Sequence, residues 1–135
     1  FIGDTVIAVW GAPLALNDKE MRAVQAALEI QNAVKKLNVN RGKKGHATFN
    51  LSIGVHTGPV VSGNLGSDQC YDYSVIGESL QTTDKLCAMA APGQIIVSEE
   101  TYEKINGLVQ VTPANPMVVP GRKEPLKTYE VNKFL

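Results

Sequence analysis

An α+β sandwich, with helices against one face of a mainly antiparallel sheet, is the fold class the sequence predicts, and three observations predict it. Runs rich in β-branched residues alternate along the chain with segments of helical periodicity. Several of those runs are joined by short connections containing Gly or Pro, which suit hairpins better than long crossovers. The chain has 135 residues, 44% of them apolar and 19% charged, which is enough for one core of ordinary size and too little for two. The predicted order of elements is ββαββαβαββ, in a single domain over 1–135.

The first pair is Phe1-Ile2 and TVIAVW at 5–10, with Gly3-Asp4 as a two-residue hairpin turn. A chain that opens inside an apolar run reads as the interior of a longer one. Gly11-Ala12-Pro13 ends the second strand. Asn17 or Asp18 can cap a helix that runs to about Leu37, because Met21, Val24, Leu28, Val34 and Leu37 recur at the spacing of one buried stripe. VNRGKKGHAT at 39–48 has two glycines and no apolar periodicity, and is predicted to be an exposed loop.

From Asn50 to His56, Leu51, Ile53 and Val55 alternate with polar or small residues, as in a half-buried strand. Thr57-Gly58-Pro59 turns it. Val60 and Val61 begin a return strand, SGNLGSD interrupts it, and YDYSVI resumes it up to Gly77. A helix from about Glu78 to Ala90 is stopped by Pro92-Gly93. QIIVS at 94–98 is a strand, Glu99 to Ile105 a short helix opening on Ser98-x-x-Thr101, and LVQVT and KTYEV are the last strands.

Composition excludes several function classes. Thirteen basic residues cancel thirteen acidic ones, so no overall field gathers a phosphate polymer, and nucleic acid is not expected as a partner. Cys70 and Cys87 are far apart in sequence, with no His at metal-ligand spacing, which argues against zinc and for a reducing, cytoplasmic setting. No apolar stretch approaches the roughly 20 residues of a membrane span, so no membrane contact is expected of this segment.

GDTVIAVWGAP, IGVHTGPVVSGNLGS, DYSVIGES, APGQIIVSEETY and GRKEPLKTYEV stand in the order and at nearly the spacing of class III adenylyl and guanylyl cyclases. Over almost its whole length the chain resembles the catalytic domain of that family, without its N-terminal strand and two helices. The resemblance implies a ferredoxin-like sheet, paired head to tail as a homodimer or with another cyclase domain, and nucleotide sites at the interface. It implies that ATP is converted to 3′,5′-cyclic AMP and pyrophosphate in intracellular signalling, with two Mg²⁺ or Mn²⁺ ions held by two aspartates of one partner.

By the same resemblance Asp4 is the second of those metal aspartates, and the first is expected on a strand upstream of Phe1, so the pair is not completed within these residues. A carboxylate on a tight turn suits a hard cation, although Asp is also a common turn former. Ser74, followed by Val75 and Ile76, stands where the family binds the base. A hydroxyl can accept a hydrogen bond from the adenine amino group, which favours ATP over GTP.

Gln81 stands where the family has an Asn that orients the ribose, and Lys85 where it has an Arg that stabilises the transition state. Four residues apart on a helix, they share a face. Gln reaches one methylene further than Asn, and Lys lacks the planar fork of Arg. Pro120 replaces a Lys directed at the terminal phosphates, with Arg122 and Lys123 beside it as substitutes, and Cys70 takes the place of a frequent Arg. Two readings stay open: an active adenylyl cyclase domain, or a weak or inactive cyclase-homology module serving dimerisation, nucleotide binding or regulation.

Overall fold

The computed structural model describes residues 4–11, 17–59, 61–64 and 73–135, with the strands at 61–64 and 73–76 as backbone. Along the chain run α1 (Lys19–Lys43), β1 (Ile53–Val55), β2 (Val61–Asn64), β3 (Tyr73–Ile76), α2 (Glu78–Met89), β4 (Ile95–Ser98), α3 (Glu99–Ile105), β5 (Val109–Pro113) and β6 (Thr128–Phe134). A four-stranded sheet has the order β1-β4-β6-β5, and β2 and β3 form a separate antiparallel pair. Among the described strands only β1 and β4 are parallel, so the sheet is mainly antiparallel, in the expected α+β class.

β4 is buried along its whole length because both of its faces are covered. Neighbouring residues of a strand point to opposite sides. Ile95 and Val97 meet Val24 and Ala27 of α1 and Ile105 of α3. Ile96, between them, meets Leu86 of α2 and its C-cap Ala90 together with Met117 and Leu126. The helices expected on one face are therefore divided: α1 and α3 share a side, and α2 covers the other. Tyr102 of α3 stacks on Tyr129 of β6 with ring centroids 4.2 Å apart, which closes the first side.

Gly54 makes the approach of α2 feasible. A Cβ there would stand 2.5 Å from the backbone N of Cys87 and 2.9 Å from Leu86 Cβ. Any side chain would push the helix off the strand. On the other side, buried Gln31 of α1 donates through Nε2 to the carbonyls of Leu51, at 2.9 Å, and Gln94, at 3.3 Å, tying the helix to the starts of β1 and β4.

Several boundaries differ from the sequence reading. α1 continues to Lys43, six residues beyond Leu37, so the first half of the expected loop is helical. Tertiary bonds account for this: Phe49 N–H donates to Asn38 Oδ1 at 3.1 Å and Arg41 Nε to the Ala47 carbonyl at 2.6 Å, laying the following chain back along the last turns. Asp18 is the N-cap residue, but its side chain makes no cap bond, because Oδ1 accepts from Arg22 Nε at 2.8 Å instead. Thr5 to Trp10, expected as a strand, hold one bridge at Thr5 and no ladder among the described residues, with Val6 68% and Ile7 39% exposed. A strand needs a neighbour to pair with, and its expected partner Phe1-Ile2 lies outside the described residues, as does Cys70. No helix among the described residues is long and apolar enough to cross a membrane.

Candidate functional site

The two parts of the expected nucleotide site that follow one another in sequence are placed together. β3, carrying Ser74, Val75 and Ile76, pairs with β2 in the register Gly63↔Ser74, Ser62↔Val75 and Val61↔Ile76. It runs through Gly77 directly into α2, so a base bound along β3 would lie beside the first turns of that helix. α2 buries Ser79, Thr82 and Leu86, and leaves Gln81 and Lys85 exposed. Their spacing of four does put both on one face, the face turned from the sheet. An exposed amide followed by an exposed cation one turn on is an arrangement able to meet a ribose and a phosphate at once.

Asp4 stands on an exposed turn at the start of the described residues, and no hydrogen bond or ion pair joins it to α2 or β3 among them. Among the described residues no group of three or more His, Cys, Asp or Glu gathers to hold a metal. Asp4 fits one place in the oxygen shell of Mg²⁺ or Mn²⁺, whose other ligands are commonly waters and substrate phosphates. A second carboxylate for a metal pair is not among the described residues.

The VVPGRKEP segment is a loop closed at its base by a bridge between Met117 and Leu126, whose N–H groups donate to one another's carbonyls at 2.9 and 2.8 Å. Both side chains are buried under the sheet on the α2 side. Pro120 and Gly121 form the exposed tip, where Gly121 has φ +86° and Arg122 N–H donates to the Val119 carbonyl at 3.1 Å. Of the two cations expected to substitute for the family's Lys, Arg122 is already engaged: its Nη2 donates to Glu100 Oε1 at 2.8 Å. Lys123, exposed on the same loop, has no such ion pair among the described residues.

Sequence reasoning missed a polar cluster where β1, β4 and α3 meet. His56 Nδ1 lies 2.7 Å from Ser98 Oγ, Ser98 Oγ lies 3.4 Å from Thr101 Oγ1, and Thr101 Oγ1 lies 2.9 Å from Thr57 Oγ1. Ser98 and Thr101 are fully buried, and the His56 side chain is 4% exposed. Ser98 is the N-cap residue of α3 but makes no cap bond with its side chain, which is spent on the ring. Glu100 Oε2 comes within 4.0 Å of His56 Nδ1. Burial pushes the His56 imidazole below its usual 6.5, against an upward pull from Glu100 and with a further downward push from Arg122. Burial also opposes ionisation of Glu100, but the Arg122 hydrogen bond, the residue's own backbone N–H and the charges of Arg122 and His56 together hold its carboxyl below 4.5. The one sequence signal was His56 itself, a lone imidazole ending an alternating strand.

The model of the adenylate and guanylate cyclase catalytic domain matches residues 1–133. Adenylate cyclase 1 of Rhizobium meliloti is 26% identical over 133 residues, covering 97% of this chain and 20% of that protein. The chain thus spans about a fifth of the length of the curated relatives it matches. The solved guanylyl cyclase Cya2 is 30% identical with a TM-score of 0.86, covering 100% of this chain and 68% of that one. The guanylate cyclase domain of RhGC from Catenaria anguillulae, in complex with GTP, is 30% identical with a TM-score of 0.79, covering 93% and 65%.

Proposed function

The chain belongs to the adenylate and guanylate cyclase catalytic domain family, and from that premise we propose that it is the larger part of a class III nucleotidyl cyclase domain acting on ATP. What supports this is the run of the backbone from β3, which carries Ser74, through Gly77 into α2, where Gln81 and Lys85 are exposed one turn apart. In this reading Ser74 accepts from the adenine amino group, with Val75 and Ile76 along the base, and Gln81 orients the ribose. Lys85 faces the charge that builds on the α-phosphate as the 3′-oxygen attacks and pyrophosphate leaves. Asp4 of a paired domain contributes one ligand to a divalent ion, Mg²⁺ or Mn²⁺. That ion, when bound, acidifies the 3′-hydroxyl and neutralises phosphate charge.

The base is the finer part of this reading, since relatives of both names are similar to the chain. Ser74 supports adenine. Full-length protein supplied with Mn²⁺ and either ATP or GTP tests it: cyclic AMP well in excess of cyclic GTP is expected, and the reverse ratio would overturn the assignment of the base. Loss of product in Asp4→Ala is expected as well, and an unaffected D4A protein would remove Asp4 from the site.

A second reading is favoured by Arg122. With its guanidinium held by Glu100, it does not stand in for the Lys that Pro120 replaces, and the module then binds nucleotide or a partner domain with little turnover. Restoring the family residues as Gln81→Asn, Lys85→Arg and Pro120→Lys separates the two. A large gain in turnover supports the weak module, and no gain supports a site already complete.

A further inference from the structure

We propose that Glu100 is a positioning residue for the cyclase reaction: its carboxylate straps the 117–126 loop, through Arg122, to the His56 corner on which the first turn of α2 is seated, and so fixes where Gln81 and Lys85 stand relative to that loop. The proposal takes its reaction from the function proposed above, but its geometry is independent of it.

The strap has three joints. At the first, Arg122 Nη2 donates to Glu100 Oε1 at 2.8 Å, joining the loop tip to α3. At the second, Glu100 Oε2 is buried with no hydrogen-bond partner among the described residues and lies 4.0 Å from His56 Nδ1. A buried carboxylate oxygen without a donor is costly, and an opposed imidazole edge is what compensates it electrostatically. The same Nδ1 is hydrogen-bonded with Ser98 Oγ at 2.7 Å, which leaves Nε2 on the side of Gly58. At the third joint, a Cβ on Gly58 would collide with Ser79 Oγ and stand 3.1 Å from His56 Nε2. Ring and helix thus both come close to Gly58, where no side chain fits between them, and Ser79 is two residues from Gln81. A close-packed contact transmits a displacement because it has no void to absorb it.

Alternative roles for Glu100 fit less well. As a surface ion pair it would show both oxygens to water, whereas one is buried toward the ring. As a partner for its own first turn alone, it would not reach beyond the helix, whereas it also accepts from Arg122 in a loop 22 residues away. The charged groups that face His56 are Glu100 and Arg122, of opposite sign, and the remaining neighbours Ser98, Thr101 and Ser79 are neutral hydroxyls. The imidazole is thus a reporter of the strap: it titrates higher with the carboxylate in place and lower without it.

Glu100→Gln tests the strap in the full-length protein, because it keeps the size and the acceptor for Arg122 while removing the charge. By NMR the His56 imidazole midpoint is expected to fall relative to the unsubstituted protein. kcat is expected to fall roughly 3- to 30-fold, the range for mutations that act through a coupling network, with KM and thermal midpoint little changed. Arg122→Lys, which keeps a cation, is expected to lose less kcat than Arg122→Ala. An unmoved His56 midpoint would overturn the proposal, and so would a moved midpoint with unchanged kcat. Should the unsubstituted protein make no cyclic nucleotide, the cyclase reading fails by itself, and amide exchange decides the strap: faster exchange at Ser79 to Gln81 in E100Q upholds it, unchanged exchange removes it.

Discussion

Gln81 and Lys85 stand in water on the outer face of α2, held by no hydrogen bond among the described residues, while on the inner side of the same helix His56, Ser98 and Thr101 are buried and bonded to one another. These two groups, proposed to meet the nucleotide, have no hydrogen-bond partner among the described residues. The groups beneath them are ordered in advance by packing, and they decide where the helix sits. In such a division, chemistry is added to one face of an element without disturbing the fold, and geometry is tuned from the other.

Substitutions that respect the division should separate stability from turnover. The largest effect is expected inside: Leu86→Ala, at a fully buried position between α2 and Ile96, should cost about 2–5 kcal/mol of unfolding free energy by chemical denaturation. A cost below about 1 kcal/mol would mean that α2 is not seated on the sheet as described. On the outer face, Lys85→Ala should lower kcat roughly 10²- to 10³-fold, the usual loss for one donor to transition-state charge, and leave the denaturation midpoint where it was. If stability fell with turnover, Lys85 would belong to the scaffold.

Ser98→Ala, which removes the hydroxyl from a buried imidazole nitrogen, should destabilise by about 1–3 kcal/mol. The smallest effect is on pH dependence. The folded His56 midpoint lies below 6.5, so the unfolded chain takes up the proton first. Stability should decline as pH falls from 6.5 to the lowered folded midpoint and level off beneath it. Glu100, held below 4.5, adds stability that is present above 4.5 and lost as pH falls through its folded midpoint. Thermal midpoints followed through both windows, with His56→Gln flattening the upper one and only weakening the lower one, would check the assignment.

Much of the fold was legible because local pattern and tertiary demand agree. The alternation of Ile53 and Val55, the apolar run at 95–97 and the stripe Met21, Val24, Leu28 and Val34 are buried or half-buried as expected, whereas Leu37, expected in the same stripe, is 44% exposed. The division of the helices was not legible, since a strand buried on both sides, such as Ile95–Ser98, reads the same whichever helix covers which face. The end of α1 was missed because bonds from Phe49 and Ala47 to the helix, not propensity, extend it. At the site, the spacing of Gln81 and Lys85 could be read from the sequence. The His56 cluster could not, because His56 and Ser98 are 42 residues apart and no local periodicity links them. Asp18 shows a similar limit: a good cap residue in sequence was claimed by Arg22 in space.

The central claim, that one partner supplies Asp4 and the other Gln81 and Lys85 to a shared site, is tested most directly by mixing two inactive proteins. Full-length Asp4→Ala and Lys85→Ala would each be assayed alone and then together after exchange of subunits, with Mn²⁺ and ATP. The account predicts little product from either alone and about a quarter of unsubstituted turnover from an equal mixture, because half the dimers are mixed and each keeps one intact site of two. A mixture no more active than the sum of its parts would contradict it.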